Sequence, residues 1–401
     1  MKRMLRFEIK KIWSRPVNKA ALLLLAVIVL TGSALAVRDV VYYKADGSKI
    51  SGFFAARRLR SEKNEWKGYV TEDVLKKMVK ENQKACAQAE SEDGALIARQ
   101  GLSDLREWIN TGLSGEGGYD YYLCDRIPEQ EAASLYEKRL ALLREEFAGQ
   151  EYSQKEKEYL TRQYEKFGAP LYYGYADGWK ALLDSQYLPT LMTITIVIIG
   201  FLVSGVFSCE FQLGADSVFF SSNYGRNRAI HAKIMAGFLV MTVVYWAAML
   251  LFSLLVLGLL GFQGAGLMIQ TNDHNWSCMY NITYAESWLL TMFGGYVAHL
   301  FILLLAQLAS AKSRSVVAAV TIPLGLACAP MFLGRVPFLA RVMNLFPDML
   351  LRISAFLRDN IIYEIGGKAY GVYELLIPVY LLLALLLMPA LYLWYKRSEL
   401  V

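Results

Sequence analysis

The amino-acid sequence predicts an all-α fold: a polytopic membrane protein with six transmembrane helices and a helical extracytoplasmic domain between the first and second. Three observations predict it. The 401 residues are 55% hydrophobic with a mean hydropathy of +0.30, too apolar for an ordinary soluble globular protein. Six apolar windows carry no Asp, Glu, Lys or Arg, and each approaches or exceeds the roughly 20 residues a helix needs to cross about 30 Å of hydrocarbon. Lys and Arg gather in the segments that would share one side of the membrane.

The elements follow in order. Residues 1–19 form a basic lead predicted to be cytoplasmic, and window 20–37 is the first and shortest crossing. A basic lead, an apolar run and Ser33-Ala34-Leu35-Ala36 also fit a cleaved secretory signal, which would leave five crossings. The lead is long for that role, and an uncleaved anchor leaves the downstream topology unchanged. Residues 38–184 are charged and large enough for a domain. Within them a helix is predicted over 71–90 and a Gly-rich loop over 111–121, while Pro128 suits a first helical position. Tyr136, Leu140, Leu143 and Phe147 then recur at helical spacing. Ser153-Gln154-Lys155-Glu156 has the form of a capping box, and Leu160, Tyr164 and Phe167 follow on one face. The two helices make a hairpin joined by 148–152. Tyr172, Tyr173, Tyr175, Trp179 and Tyr187 fit either a headgroup belt at membrane re-entry or an aromatic core of the outer domain.

Residues 185–401 hold the remaining crossings, in windows 185–209, 234–272, 287–311, 315–334 and 375–395. Seven Lys and Arg precede Ala20, and Arg226, Arg228, Lys233, Lys312, Arg314, Lys396 and Arg397 fall on the same side. That side is predicted to be cytoplasmic, with both termini in it. Arg335, Arg341, Arg352, Arg358 and Lys368 oppose the assignment without reversing it. Before the last crossing, Phe338, Leu339, Val342, Leu345 and Phe346 space as an apolar face that Pro347 interrupts. Two short interfacial helices are predicted there, with their arginines at the headgroups.

Chemistry-bearing motifs are absent. The sequence has no phosphate-cradling G-x-x-x-x-G-K-[ST] and no H-E-x-x-H. His274 with Cys278 supplies two ligands, too few for a metal site. His299, inside the fourth window, reads as a neutral histidine bonded to a neighbouring helix rather than a proton relay. A disulfide, if one forms, is expected between Cys86 and Cys124. No catalytic residue, cofactor, metal or nucleic-acid partner is expected, so any work the chain does must draw its energy from outside it.

The polar stretch 210–233 is where that energy would enter. Phe211, Ala215, Val218 and Phe219 fall on one helical face, which predicts a short amphipathic helix over 210–220. Ser221-Ser222-Asn223-Tyr224-Gly225 supplies turn formers, and Arg226, Arg228, His231 and Lys233 lead back to the membrane. By composition alone a plain cytoplasmic loop fits equally well.

This segment resembles the intracellular coupling region of ABC-2 type permeases, the membrane subunits of ATP-binding cassette exporters. There a Glu, a Gly four residues on, an Arg beyond a loop and a Lys opening the third span recur. Here they fall on Glu210, Gly214, Arg226 and Lys233. Phe7-Glu8-Ile9-Lys10-Lys11-Ile12-Trp13-Ser14-Arg15-Pro16 is similar to the family's amphipathic lead-in helix, with Leu5, Ile9, Ile12 and Trp13 on one face, and the Tyr395-Lys396-Arg397 tail is typical. The six-span plan resembles bacterial subfamilies with a large outer loop after the first span. The resemblance implies a permease in the cell membrane, working as a homodimer or with a paralogous permease and recruiting two cytoplasmic ABC ATPase subunits. It implies export of a peptide, lipid-like compound, antibiotic or ion. Phe211, Ala215, Val218 and Phe219 would fill a cleft of the ATPase, and Glu210 and Arg226 would fix the segment's angle, in contact with each other or with the partner. A membrane sensor or assembly scaffold that binds a ligand through the outer domain is the alternative.

Overall fold

Where apolar chain is removed from water, its backbone hydrogen bonds must close internally, and a helix closes them within one segment. The computed structural model describes residues 2–114, 118–214, 218, 221 and 225–397. It is overwhelmingly helical, with three short antiparallel strand pairs among the described residues. The amino-terminal part comprises α1 (Lys2–Ser14), α2 (Pro16–Arg38), β1 (Val41–Tyr43), β2 (Lys49–Ser51), α3 (Phe53–Lys63), β3 (Gly68–Tyr69), α4 (Glu72–Gln88), α5 (Glu92–Ala98) and α6 (Ser103–Leu113). Next come α7 (Leu123–Arg126), α8 (Glu129–Ala133), α9 (Leu135–Ala148), α10 (Gln154–Glu165), β4 (Tyr172–Tyr173), α11 (Asp177–Leu182), α12 (Tyr187–Val203) and α13 (Gly205–Gln212). The remainder is α14 (Ile230–Leu260), α15 (Tyr284–Ser313), α16 (Val316–Leu333), α17 (Pro337–Met343), α18 (Asp348–Leu351), α19 (Ile353–Phe356), β5 (Ile362–Ile365), β6 (Lys368–Gly371) and α20 (Val372–Lys396).

Among the described residues, five helical stretches are long and apolar enough to cross a membrane: Pro16–Arg38, Asp177–Gln212, Asn227–Leu260, Tyr284–Ser313 and Val372–Lys396. The sixth window, 315–334, forms α16, an apolar helix of 18 residues that packs along α15 and α12. One bundle results. α2 lies against α12 and α14, and α15 runs beside α16 and α20. Their shared core buries Phe207, Tyr245, Phe252, Met292 and Leu304. α2 buries Leu25, Val29 and Ala36 on these neighbours and leaves Leu23, Leu24, Val27 and Leu30 exposed, the pattern of a helix that faces hydrocarbon on its other side. His299 is buried inside α15. Its Nδ1 bonds the Gly295 carbonyl of its own helix at 2.7 Å, because that carbonyl lies one turn back and within reach, while its ring packs 4.6 Å from Tyr245 on α14.

The described residues of 39–186, 261–283 and 334–371 gather at one end of the bundle into a head. Trp276 stacks among Trp108, Tyr136 and Phe167 at centroid distances of 6.2, 6.4 and 6.2 Å. Asn360 donates to the Ser277 carbonyl at 2.7 Å, and Arg341 reaches Glu156 at 2.8 Å. The predicted local signals operate here. α4 covers the predicted helix, Ser153 and Glu156 exchange capping-box bonds at the start of α10, and α9 and α10 form the expected hairpin. Pro128 stands at the N-cap of α8 rather than inside its first turn, and α6 runs to Leu113 at the start of the Gly-rich stretch.

Tyr173, Tyr175 and Trp179 of the aromatic run are all buried. Tyr173 joins the head's core beside Trp108, whereas Tyr175 and Trp179 donate to the Leu260 and Phe262 carbonyls and lock the head onto the end of α14. Two expectations need correction. All five cysteines are free: Cys86 sits 3.0 Å from Arg99 Nη1 and Cys124 packs beside Met78, so the Cys86–Cys124 bridge does not form. The stretch after α16 breaks into α17, α18 and α19 rather than two helices, and Arg341 on α17 pairs with Glu156 on α10.

Candidate functional site

At the end of the bundle away from the head, where α14 begins, four charged side chains from three helices meet. α14 has 31 residues and so spans about 46 Å from this site to the head. α1 packs Leu5, Ile9, Ile12 and Trp13 against the core, as their helical spacing requires. That orientation turns the flank carrying Glu8 and Lys11 toward α13 and α14. Glu8 is buried at 7% exposure, Glu210 on α13 at 7%, and Lys233 on α14 at 0%.

Among the described residues, two carboxylates and two ammonium groups converge. Lys233 Nζ donates to Glu210 Oε1 at 2.6 Å, to the Val206 carbonyl at 2.8 Å and to both Glu8 carboxylate oxygens at 3.3 Å. Lys11 Nζ donates to the same Glu210 Oε1 at 2.6 Å and lies 3.5 Å from Glu8 Oε2. Two carboxylates thus face two ammonium groups. Burial alone would lower the Lys11 pKa, but the Glu210 hydrogen bond and the Glu8 and Glu210 charges hold it above the ordinary range. Removing one member of such a buried set strands its partner at a cost of about 3–5 kcal/mol.

Supporting contacts fix the cluster's frame. Asn18 donates to the Ile12 carbonyl at 2.8 Å and the Leu202 carbonyl at 3.2 Å, joining the α1–α2 elbow to the end of α12. Tyr395 near the end of α20 donates to the Phe207 carbonyl at 3.3 Å. A Cβ on Gly205 would lie 2.0 Å from Arg15 Nη1, so glycine there lets the Arg15 side chain pass. Arginine and lysine also stand over aromatic faces at this end: Arg314 over Phe211 at 4.6 Å, Lys312 over Trp394 at 5.3 Å and Lys396 over Tyr392 at 5.6 Å.

The residues singled out in the sequence are distributed as follows. Glu210 and Lys233 meet inside the cluster. Phe211 is half-buried, 6.0 Å from the Tyr395 ring. α13 ends at Gln212, and Gly214 adopts φ +64°, a conformation that suits a residue without Cβ. Leu213 and Val218 are 74% and 71% exposed, large apolar side chains with little cover. Ala215, Phe219 and the Arg226 side chain lie outside the described residues. The amphipathic helix predicted over 210–220 is not continuous: α13 ends at Gln212 and a turn at Leu213 and Gly214 interrupts the predicted range. The polar contact expected between Glu210 and Arg226 falls on a side chain outside the described residues; Glu210 Oε1 is taken by Lys11 and Lys233. The chain re-enters the bundle through a π-helical turn, Gly225–Ala229.

Sequence reasoning missed Glu8 and Lys11 as site residues. Their signal is an acidic and a basic residue three apart, flanking the apolar face of an amphipathic helix. Among the described residues no three His, Cys, Asp or Glu side chains group to hold a metal ion. His274 pairs instead with Asp273 at 2.7 Å, and Cys278 is buried against the Leu357 carbonyl. The cluster offers no nucleophile and no open face to a substrate. Its chemistry is positional: it sets the angle of α1 against α13 and α14. No family model, curated protein or solved structure matches the chain.

Proposed function

We propose that the chain is the membrane subunit of an ATP-driven exporter, an ABC-2 type permease of a bacterial cell membrane. The observation that carries this reading is the meeting of Glu210 and Lys233 with the lead-in helix α1. Two of the four residues on which the resemblance rests are 23 positions apart, yet form a 2.6 Å ion pair that a plain loop has no need of. In the proposed role the cluster makes α1, α13 and α14 move as one piece, so that force applied to the exposed stretch after α13 reaches α14 and the span behind it.

The role of Glu210 shifts accordingly. It faces inward, so it transmits within the permease, and the ATPase contact falls to Leu213, Val218 and the neighbouring Ala215 and Phe219. Six crossings are the topology we propose, with both termini cytoplasmic. Its support is the gathering of residues 39–186, 261–283 and 334–371 at one end, and of α1, Phe211, Arg314 and the α20 terminus at the other. α16 starts beside Arg314 and leads into α17 in the head, which supports the reading of it as the fifth crossing. The head is then extracytoplasmic. The permease pairs with a second copy or a paralogue, recruits two cytoplasmic ABC ATPase subunits, and exports a substrate of one of the classes above.

A sensor or scaffold is the second reading, and a cavity in the head favours it. Purification of the tagged chain from its native membrane in mild detergent separates the two. A stoichiometric nucleotide-binding subunit should copurify with the permease, and its reproducible absence would sink the exporter reading.

A further inference from the structure

Three arginines are buried in the head, and they are not treated alike. Arg99 and Arg106 both pair with Asp125, at 2.8 and 3.3 Å. Arg139, 3% exposed on α9, has no carboxylate within ion-pair distance among the described residues. Its Nη2 donates to the Trp276 carbonyl at 2.8 Å, and its Nε has no partner. Its charge rests on aromatic faces, with Phe167, Trp276 and Tyr164 centroids at 3.8, 5.2 and 5.6 Å. Burial pulls its pKa down to about 10, which still leaves it cationic at neutral pH. A buried guanidinium without a counter-ion is costly, and ring faces recover only part of that cost. Among the described residues the site is therefore short of one anion.

A cavity of about 500 Å³ supplies the space for it. Arg139 and Trp276 line one part, Leu142 and Leu143 the apolar wall, and Glu145 and Glu146 the rim. A volume of this size suits a small organic ligand rather than a simple ion. Gly112 keeps the space open: a Cβ there would sit 2.5 Å from Leu135 and 3.0 Å from the Trp276 ring. Arg139 and Glu146 are seven residues apart on one helix, which places them on the same face about 10 Å apart along the axis. A cation and an anion at that separation match a ligand with its own charges about 10 Å apart. Three extended residues of peptide span about that length.

We propose that this cavity binds a free peptide of about three residues, its carboxylate on Arg139 and its ammonium group toward Glu145 and Glu146. The apolar wall accommodates the intervening side chains. Planar guanidinium and carboxylate are matched in shape as well as charge. The site stands whether or not the chain couples to an ATPase.

The test is calorimetric titration of trialanine, its carboxyl-terminal amide and its N-acetyl derivative into the purified full-length chain in detergent. Trialanine should bind saturably, the amide about ten-fold or more weaker, as expected on losing a charge-assisted hydrogen bond, and the N-acetyl form a few-fold weaker. Arg139→Gln should abolish binding, and Glu145→Gln with Glu146→Gln should reproduce the N-acetyl loss on a chain with unchanged melting temperature. Because Arg139→Gln disturbs a core position, the amide comparison on the unaltered chain carries the decision. Equal affinity for trialanine and its amide, or no saturable binding at millimolar trialanine, overturns the proposal.

Discussion

Glu210 shows how a residue identified by pattern acquires its physical role only from packing. Its sequence position suggests a membrane-end carboxylate available to a partner, whereas its side chain pairs with Lys11 and Lys233. Glu210→Ala should destabilise the detergent-solubilised protein by about 3 kcal/mol or more, because Lys233 is left buried with half its countercharge. Combined with Lys233→Met, the loss should be smaller than the sum of the two single losses, since the stranded charge is gone. Strictly additive melting shifts would show that the pair is not coupled. Asp348 in the head gives a second residue-scale expectation. Its Oδ1 is buried without a partner and Arg352 stands off at 3.8 Å, so burial outweighs that cation and pushes its pKa up to about 7. A raised carboxyl pKa favours the folded state at acid pH, and that contribution is lost as pH rises through about 7. Melting temperature should therefore fall between pH 5.5 and 8 by more in the unaltered protein than in Asp348→Asn. Equal slopes would contradict the assignment. Such positions were illegible in the sequence because an acid's burial depends on which elements close over it.

Elements were more legible than residues. Apolar windows without charge and a capping box are local causes, and each is helical; α15 and α20 extend a few residues beyond their windows, α14 starts before window 234–272 and ends within it at Leu260, and window 185–209 divides between α12 and α13. The hairpins were missed, although two carry signals that could have found them. Asp46-Gly47 lies between β1 and β2, and Gly366-Gly367, at φ +58° and +80°, supplies the left-handed pair that a two-residue turn between β5 and β6 needs. The broken stretch after α16 was anticipated, because Pro347 and charged residues forbid a long apolar helix. α17 leaves Phe338 79% and Val342 51% exposed while Arg341 is held by Glu156, an arrangement suited to the bilayer surface. A fluorophore at Phe338 should be quenched by spin labels near the headgroups and spared by labels deep in the acyl chains; the reverse order would place α17 inside the hydrocarbon.

At the scale of the whole molecule, the account joins a head, a bundle and a charge-locked end into one path. Its topology can be read in a background lacking the five native cysteines. Gly266→Cys, at an open position where a Cβ meets nothing within 4 Å, should label from outside the cell, and Leu213→Cys only after the membrane is opened. Labelling of both from the same side would break the six-crossing arrangement. The central claim is that the stretch after α13 seats an ATPase and that the cluster behind it carries the resulting force. Leu213 and Val218 are exposed, so Leu213→Asp with Val218→Asp should leave the melting temperature unchanged. Burying apolar anchors at an interface typically contributes about 2 kcal/mol or more, and losing it weakens association roughly 30-fold. The most direct measurement is the amount of nucleotide-binding subunit that copurifies with this double variant, together with its ATP hydrolysis in vesicles, against the unaltered chain. The account predicts a folded permease stripped of its ATPase and of stimulated hydrolysis; a variant that keeps a stoichiometric ATPase at full stimulation would contradict it.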